Sequence, residues 1–85
     1  MRLDKFLKVS RIIKRRTVAN QACGNEKIIV NNKIAKASLN LKIGDVIEIK
    51  FKNKILKIEV LSLDEIVGKQ NSVLMYKIIA EENNG

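Results

Sequence analysis

The side chains best suited to binding chemistry are basic, and they cluster at the start of the chain. Residues 1–17 contain seven lysines and arginines and one acid, Asp4, in a chain of 85 residues whose formal net charge is +8. Basic side chains at this density favour a polyanion, because each can neutralise a phosphate and release its counterions. Arginine adds a planar fork that grips a phosphate with two hydrogen bonds or stacks on a base. The charge therefore indicates a nucleic acid or an anionic membrane surface as the partner.

Catalytic and metal chemistry have little support in the sequence. The chain has no histidine and one cysteine, Cys23, which argues against a zinc site and a disulfide scaffold. Asp45 and Asp64 are isolated, and no nucleophile stands beside a base. We therefore predict no catalytic residue, no metal site and no cofactor, and we expect the chain not to be an enzyme. Cys23 is expected to be a small buried apolar side chain.

The charge is graded along the chain. Residues 1–16 have seven basic residues and one acid (net +6), residues 17–60 have eight and four (net +4), and residues 61–85 have two and four (net −2). A nonspecific cationic coat would not be graded in this way, so we expect the binding face at the N-terminal end and the C-terminal segment turned away from it. No apolar run approaches membrane length and no signal-peptide pattern opens the chain, which predicts a cytoplasmic protein without membrane contact.

The basic residues fall on elements that the apolar pattern predicts to be helical. Spacings of three and four residues define one apolar side of a first helix: Leu3, Phe6, Leu7, Ser10 and Ile13. The cations of this stretch fall on its flanks and back: Arg2, Lys5, Lys8 and Arg11. Residues 14–16 form a basic turn, and Thr17 is predicted to cap a second short helix that runs through Cys23. Gly24 or Asn25 can end that helix.

From residue 27 onward the pattern changes to that of strands. The predicted strands are 27–30, 33–36, 46–51 and 54–60, with a turn at Asn31 and Asn32 between the first two. Residues 73–80 form a last strand or a short helix, between which periodicity does not decide, and residues 81–85 are expected to fray. No repeat or linker divides the chain, so the sequence predicts one small α+β domain.

Five ordered blocks of the sequence resemble the S-four RNA-binding domain: Arg2–Leu7, Arg16–Ala19, Ile28–Asn31, Lys36–Ser38 and Lys42–Asp45. The resemblance covers residues 1–60, and we take 61–85 as an extension that completes the same domain. It implies an alpha-L fold, in which two short N-terminal helices and a following hairpin pack on a small, twisted, mostly antiparallel sheet. Glu26 and Asn32 stand where family members commonly have glycine. We expect Gly24 or Asn25 to absorb the helix stop, and Asn32 to preserve the turn, because asparagine tolerates left-handed geometry.

Within that family the chain is similar to two groups of small stand-alone members. One group is the bacterial ribosome-associated quality-control factors, which the Lys-Arg-Arg-Thr run at 14–17, the length and residues 75–78 resemble. That likeness implies binding to large ribosomal subunits obstructed by peptidyl-tRNA, with ribosomal RNA and tRNA contacted together, in support of a partner factor that tails the stalled chain. The other is the heat-shock protein fifteen group, which implies rescue of peptidyl-tRNA on dissociated large subunits. Its members typically have a longer basic C-terminal extension, whereas this chain ends acidic and short.

The candidate RNA-binding residues are all basic: Arg2, Lys5, Arg11, Lys14, Arg15, Arg16, Lys33 and Lys36. Arg16 and then Arg2 are the leading candidates, because the family pattern contains both, and Lys33 and Lys36 are outer contacts on the predicted hairpin. The alternative is that these cations only solvate exposed elements. Asp4 is expected to stabilise the first helix or to pair with a neighbouring cation.

The few aromatic residues limit how RNA can be read. Phe6, Phe51 and Tyr76 are the only aromatics, and the two phenylalanines fall on predicted apolar faces. Modules that read single strands use exposed aromatic platforms, so we expect recognition of duplex shape, phosphates and 2′-hydroxyls. Two alternatives are a generic structured-RNA module and a DNA-binding helix-turn-helix protein, which the β-rich remainder fits poorly. We expect a monomer off the ribosome.

Overall fold

The computed structural model is a five-stranded antiparallel sheet with two helices on one face, and it describes residues 1–65, 68 and 70–83. The helices are α1 (Leu3–Val9) and α2 (Arg16–Gly24), and the strands are β1 (Ile28–Val30), β2 (Lys33–Ile34), β3 (Val46–Lys50), β4 (Lys54–Val60) and β5 (Tyr76–Asn83). A 3-10 turn, Ser72–Met75, precedes β5. The sheet order is β2-β1-β3-β4-β5, with antiparallel pairing throughout. The predicted α+β architecture is confirmed.

The core lies between the helices and the inner face of the sheet. Leu3, Phe6 and Leu7 on α1 are fully buried. They pack with alternate residues of the central strands, all of which are buried: Ile28, Ile47, Ile49, Leu56, Ile58 and Val60. Burial alternates along β3 and β4, because only one face of this antiparallel sheet is covered, and both strands lie where the sequence predicts them.

The first helix is shorter than its apolar pattern predicts. It ends at Val9, with Ser10 as the C-cap and Arg11 in left-handed geometry at φ 63°. The backbone N–H of Ile13 donates to the Leu7 carbonyl over 3.0 Å. Ile13 therefore reaches the core from the turn after the helix, and Arg11 lies in that turn rather than on a helical flank.

The second helix begins and ends differently from the prediction. It starts at Arg16 behind an N-cap, Arg15, that makes no side-chain capping bond, so the assignment of Thr17 as N-cap is wrong. At its end, Glu26 N–H donates to the Cys23 carbonyl and Lys27 N–H to the Ala22 carbonyl, which is the Schellman pattern. The left-handed residue is Glu26, at φ 60°. The expectation that Gly24 or Asn25 would absorb the stop is therefore wrong.

The turn between β1 and β2 keeps its expected form without glycine. Asn31 and Asn32 are both left-handed, at φ 50° and 69°, as a two-residue hairpin turn requires. The Asn31 side chain accepts from Val46 N–H over 3.0 Å and donates to Asp45 over 3.1 Å. Asn31 therefore has a structural role, because its side chain links the end of β1 to the start of β3 by hydrogen bonds. Strand β2 is only two residues long, so Lys36 lies beyond it rather than in it.

The C-terminal segment adds the last strand. Strand β5 pairs with β4 from Val60↔Tyr76 to Lys54↔Asn83, with an irregularity between Lys57 and Ile58. This decides between strand and helix for the region that the sequence left open. Residues 81–83 belong to the strand, so fraying from residue 81 is wrong for them, while 84 and 85 lie outside the described residues. None of the helices in the described ranges is long and apolar enough to cross a membrane.

Candidate nucleic-acid interface

Two arginines from separate segments meet at one buried carboxylate. Asp4, only 3% exposed, lies in the first turn of α1. Arg16 places Nε 3.3 Å from Asp4 Oδ2 and donates from Nη2 to Oδ1 over 3.4 Å. Arg2 places Nε 3.4 Å from the same Oδ1. The structure therefore brings together the two leading sequence candidates, and it confirms that Asp4 pairs with neighbouring cations.

Local geometry explains why these three side chains meet. Arg2 is the N-cap of α1 and forms an isolated β-bridge with Asn40. The N–H groups of Leu3 and Asp4 donate to the carbonyls of Leu39 and Ala37, over 2.8 and 3.1 Å. These bonds satisfy donors that a helix start otherwise leaves unpaired. They also hold the start of α1 firmly against the 36–41 segment, so Arg2 and Asp4 have a fixed position.

The environment of Asp4 keeps its carboxyl ionised. Burial alone would raise its pKa, but hydrogen bonds from the side chains of Arg16 and Asn20 and from Lys5 N–H, together with the positive charge of Arg16, hold the pKa below its usual 3.8. The carboxylate is therefore fully charged at neutral pH and holds both guanidinium groups. Asn20 follows Arg16 by one helical turn, a spacing that could have indicated a shared target but was not used in the sequence prediction.

Both arginines keep donors available for a ligand. Their side chains are 48% and 46% exposed, for Arg2 and Arg16 respectively. A guanidinium has five N–H donors, and Asp4 occupies only one or two on each side chain. Because the carboxylate already orders two flexible side chains, a phosphate that binds them costs less conformational entropy. Chemically, these exposed donors are able to bind an anion with extended geometry, such as a nucleic-acid backbone.

The other N-terminal candidates surround this pair with different partners. Arg11, Lys14 and Arg15 are exposed in the turn between α1 and α2, and none pairs with an acid within the described part of the chain. Lys5 lies 3.4 Å from Glu65. The expectation that the acidic C-terminal segment turns away from the basic face is therefore wrong at this point, because the chain that leaves β4 carries Glu65 back to α1.

The hairpin candidates lie apart from the arginine pair. Lys33 and Lys36 line a groove of about 700 Å³ between the β1–β2 hairpin and the segment 36–45. Sequence reasoning missed the rest of its lining, which includes Ile34, Leu39, Asn40 and Lys42. No periodic signal could have identified them, since one wall is a hairpin whose second strand has only two residues and the other wall is an irregular segment.

The outer face of the sheet is not similarly charged. Its cross-strand neighbours include the opposite pairs Glu48↔Lys57 and Glu59↔Lys77. Opposite charges at facing positions cancel at a distance and stabilise the strand pairing. These paired charges on the outer face therefore differ from the unpaired cations of the turn between α1 and α2.

The remaining chemically notable residue is structural. Cys23 is 5% exposed in the core, as predicted, and burial raises the pKa of its thiol. A protonated, buried thiol is unreactive. In residues 1–65, 68 and 70–83, no cluster of three histidine, cysteine or acidic side chains is placed to hold a metal ion.

Comparison with known proteins identifies similar sequences and folds. The sequence profile of the S4 domain family matches residues 1–47. An "RQC P-site tRNA stabilizing factor" of Streptococcus pneumoniae is 51% identical over 81 residues, covering 95% of this chain and 92% of that protein. A protein of the same name from Bacillus subtilis is 44% identical over 85 residues, covering 100% and 99%. The trimeric structure of Vibrio cholerae Heat Shock Protein 15 superposes with a TM-score of 0.86 at 26% identity, covering 94% of this chain and 82% of that one.

Proposed function

The chain belongs to the S4-domain family of RQC P-site tRNA stabilizing factors, and from this we propose that it binds obstructed large ribosomal subunits in ribosome-associated quality control. It contacts ribosomal RNA and peptidyl-tRNA together and holds the tRNA in the P site. A partner factor on the same subunit then tails the stalled chain. The protein performs no chemistry of its own, works in the cytoplasm and is a monomer off the ribosome.

The observation that carries this proposal is the pair of arginines fixed by Asp4. Stabilising a bound tRNA requires added contacts that slow its dissociation rather than a reaction. Two half-exposed guanidinium groups on one buried carboxylate supply such contacts. Arg11, Lys14 and Arg15 extend the basic surface along the turn between the helices, and Lys5 joins it from α1 once its bond to Glu65 opens. Lys33 and Lys36 are contacts on the hairpin side.

The position of the aromatic residues supports reading of RNA by its shape. Phe6 is fully buried, and Phe51 and Tyr76 pack against the core. The described surface therefore has no aromatic platform for stacking successive bases. Guanidinium groups on a surface without such a platform are suited to binding the phosphates and 2′-hydroxyls of structured RNA.

A second candidate is favoured by the fold likeness to Heat Shock Protein 15, which has a TM-score of 0.86. In this alternative the chain rescues peptidyl-tRNA on dissociated large subunits. The identity of 51% to a P-site tRNA stabilizing factor, against 26% to Heat Shock Protein 15, favours the first proposal.

The proposed function is tested by purifying the tagged protein from translating cells, sequencing its bound nucleic acid and analysing the peptide chains attached to the tRNA. We expect large-subunit ribosomal RNA with a mixture of tRNAs that still hold C-terminally tailed chains. Untailed chains alone would favour the second candidate, and a single messenger or a DNA operator would contradict both. Arg2→Ala with Arg16→Ala should lose the RNA, while Lys52→Ala, an exposed cation in the β3–β4 turn, serves as the matched control.

A further inference from the structure

We propose that the groove between the β1–β2 hairpin and the segment 36–45, named here the hairpin groove, binds one unpaired nucleotide of the RNA. This inference rests on the proposed function and adds a second mode of recognition to it. The arginine pair would grip the backbone of paired RNA, and the hairpin groove would receive a base that leaves the helix. Recognition would then depend on an unpaired nucleotide as well as on duplex shape.

The size and walls of the hairpin groove fit a base. Its volume of about 700 Å³ lies within the range of about 300–1,000 Å³ that is usual for small-ligand sites. Ile34 and Leu39 line it and are 60% and 38% exposed. Aliphatic side chains left open to solvent gain when they cover the apolar face of a base. An aliphatic groove can thus hold a base where the described surface offers no aromatic side chain to stack on it.

The charge of the hairpin groove selects a nucleotide over an apolar peptide. Lys33, Lys36 and Lys42 line it, and their ammonium groups can neutralise the phosphates on either side of the base. The acid in the lining, Asp45, accepts from Asn31 Nδ2 over 3.1 Å and from Lys42 N–H over 2.9 Å. Its carboxylate is therefore engaged in the fold and does not recruit a cation. The lining retains an excess of positive charge.

The hairpin groove is rigid, and backbone bonds join one of its walls to the start of α1, where Arg2 lies. Ile34 is paired with Ile29 in the sheet, and the Leu39 carbonyl accepts from Leu3 N–H over 2.8 Å. Asn40, also in the lining, forms the β-bridge with Arg2. In this proposal, an RNA strand held by Arg2 would lie near the hairpin groove. Because both walls are already ordered, binding costs little conformational entropy.

The hairpin groove also offers a group that can read the edge of a base. The Asn40 side chain is exposed and makes no hydrogen bond within the described part of the chain. An amide has both donors and an acceptor, so it can pair with the polar edge of a base. Apolar walls, a polar amide and flanking cations together make up the set that a nucleotide requires.

The test compares two RNA hairpins that differ only by one unpaired uridine in the stem. Binding of the full-length protein is measured by fluorescence anisotropy at fixed salt. We expect the bulged hairpin to bind about fivefold more tightly, a factor that corresponds to about 1 kcal/mol. Ile34→Ser and Leu39→Ser should remove this preference and leave affinity for the paired hairpin unchanged. Ile43→Ser is the matched control, because Ile43 is 67% exposed and lies outside the groove lining.

Several outcomes would overturn the proposal. Equal affinity of the unaltered protein for the two hairpins is one, and an equal loss of affinity for both in Ile34→Ser is another. A peptide with acidic and apolar residues provides a competition test. If it binds the protein and neither RNA hairpin displaces it, the groove has a protein ligand instead. Lys36→Gln keeps the test decisive if a serine variant fails to fold, since it should also reduce the preference. If the protein purified from cells carried no ribosomal RNA but still preferred the bulged hairpin in the anisotropy assay, only the proposed function would be contradicted.

Discussion

Arg16 on α2 reaches Asp4 on α1, with Nε 3.3 Å from Oδ2, so one ion pair joins two helices and also orders the side chain that is the leading candidate for RNA binding. The carboxylate is buried, whereas the guanidinium is nearly half exposed. The contact therefore has an inner side that packs within the fold and an outer side whose N–H donors are open to a ligand. Substitutions at these two positions should separate the two roles.

Removing the Arg16 side chain should weaken binding to large subunits. Because Arg16 presents an ordered guanidinium, we expect Arg16→Ala to reduce affinity about tenfold, measured by co-sedimentation titrations. Arg16→Lys should lie between the two, since lysine keeps the charge but loses the planar fork. Lys52→Ala controls for the loss of one positive charge, because Lys52 lies away from Arg16. It follows the end of β3, where Lys50 N–H donates to the carbonyl of Lys27, and Lys27 comes after the C-terminal end of α2. Equal effects of Arg16→Ala and Lys52→Ala would reject a specific role for Arg16.

Neutralising Asp4 should weaken RNA binding although it makes the protein more positive. Simple charge counting predicts that Asp4→Asn binds RNA more tightly, whereas loss of the anchor for Arg2 and Arg16 predicts weaker binding. We expect the second result, a decrease of about three- to fivefold, because two side chains must then be ordered by the RNA itself. Anisotropy titrations at low salt give the sign directly. Tighter binding by Asp4→Asn would show that the carboxylate only opposes RNA.

Asp4 should also make the free energy of unfolding depend on pH in the acid range. Its folded-state pKa lies below 3.8, so its contribution is complete above the unfolded value and is lost as pH falls through the folded value. We expect Asp4→Asn to lower the free energy of unfolding at neutral pH by about 1 kcal/mol. Urea unfolding at several pH values should show this difference shrinking below about pH 4. A difference that stays constant into acid would exclude an ionised Asp4 as its source.

RNA affinity should fall steeply with salt. Each neutralised phosphate contributes a slope of about 0.7–0.9 in the logarithm of affinity against the logarithm of salt concentration. Arg2→Ala should reduce the slope by about one such unit, and Ile43→Ser should not change it. A flat response of the unaltered protein would indicate a protein partner in place of RNA.

Two glycines should respond to alanine in opposite directions. Gly44 has φ +95°, whereas Gly24 is helical with open space around it. Gly44→Ala should destabilise by about 1 kcal/mol or more, and Gly24→Ala should stabilise by about 0.5 kcal/mol. Glu26→Gly should also stabilise, because Glu26 occupies the left-handed position of the Schellman motif. Thermal unfolding followed by circular dichroism measures all three, and a destabilised Gly24→Ala would place the helix stop there after all.

Local patterns in the sequence were sufficient for the fold class and for the basic side of the molecule. Alternation along 46–51 and 54–60 predicted the central strands, since a sheet covered on one face needs period-two burial. The density of cations at residues 1–17 predicted the helix side as the positive one. The two left-handed asparagines of the β1–β2 turn also follow from residue type, because asparagine tolerates that geometry.

Helix ends and the C-terminal strand were decided by tertiary packing. Arg11 and Glu26 adopt left-handed geometry that their residue types disfavour, at a cost of about 1–3 kcal/mol each. Turning the chain at these points lets Ile13 and Ile28 enter the core, which offsets that cost. Strand β5 forms because it pairs with β4 along its length, a long-range bond pattern that periodicity does not reveal.

The candidate binding surface was likewise predicted in part from the sequence and decided in part by the tertiary structure. The basic turn and the family pattern in the sequence made Arg16 and Arg2 the leading candidates, and the sequence left two roles open for Asp4, stabilising the first helix or pairing with a cation. Only the tertiary structure decided that one carboxylate holds both arginines, that Glu65 reaches Lys5, and that the β1–β2 hairpin and the irregular segment 36–45 enclose the hairpin groove. These contacts join residues far apart in the chain, and their energies depend on burial and distance, which exist only once the chain has folded.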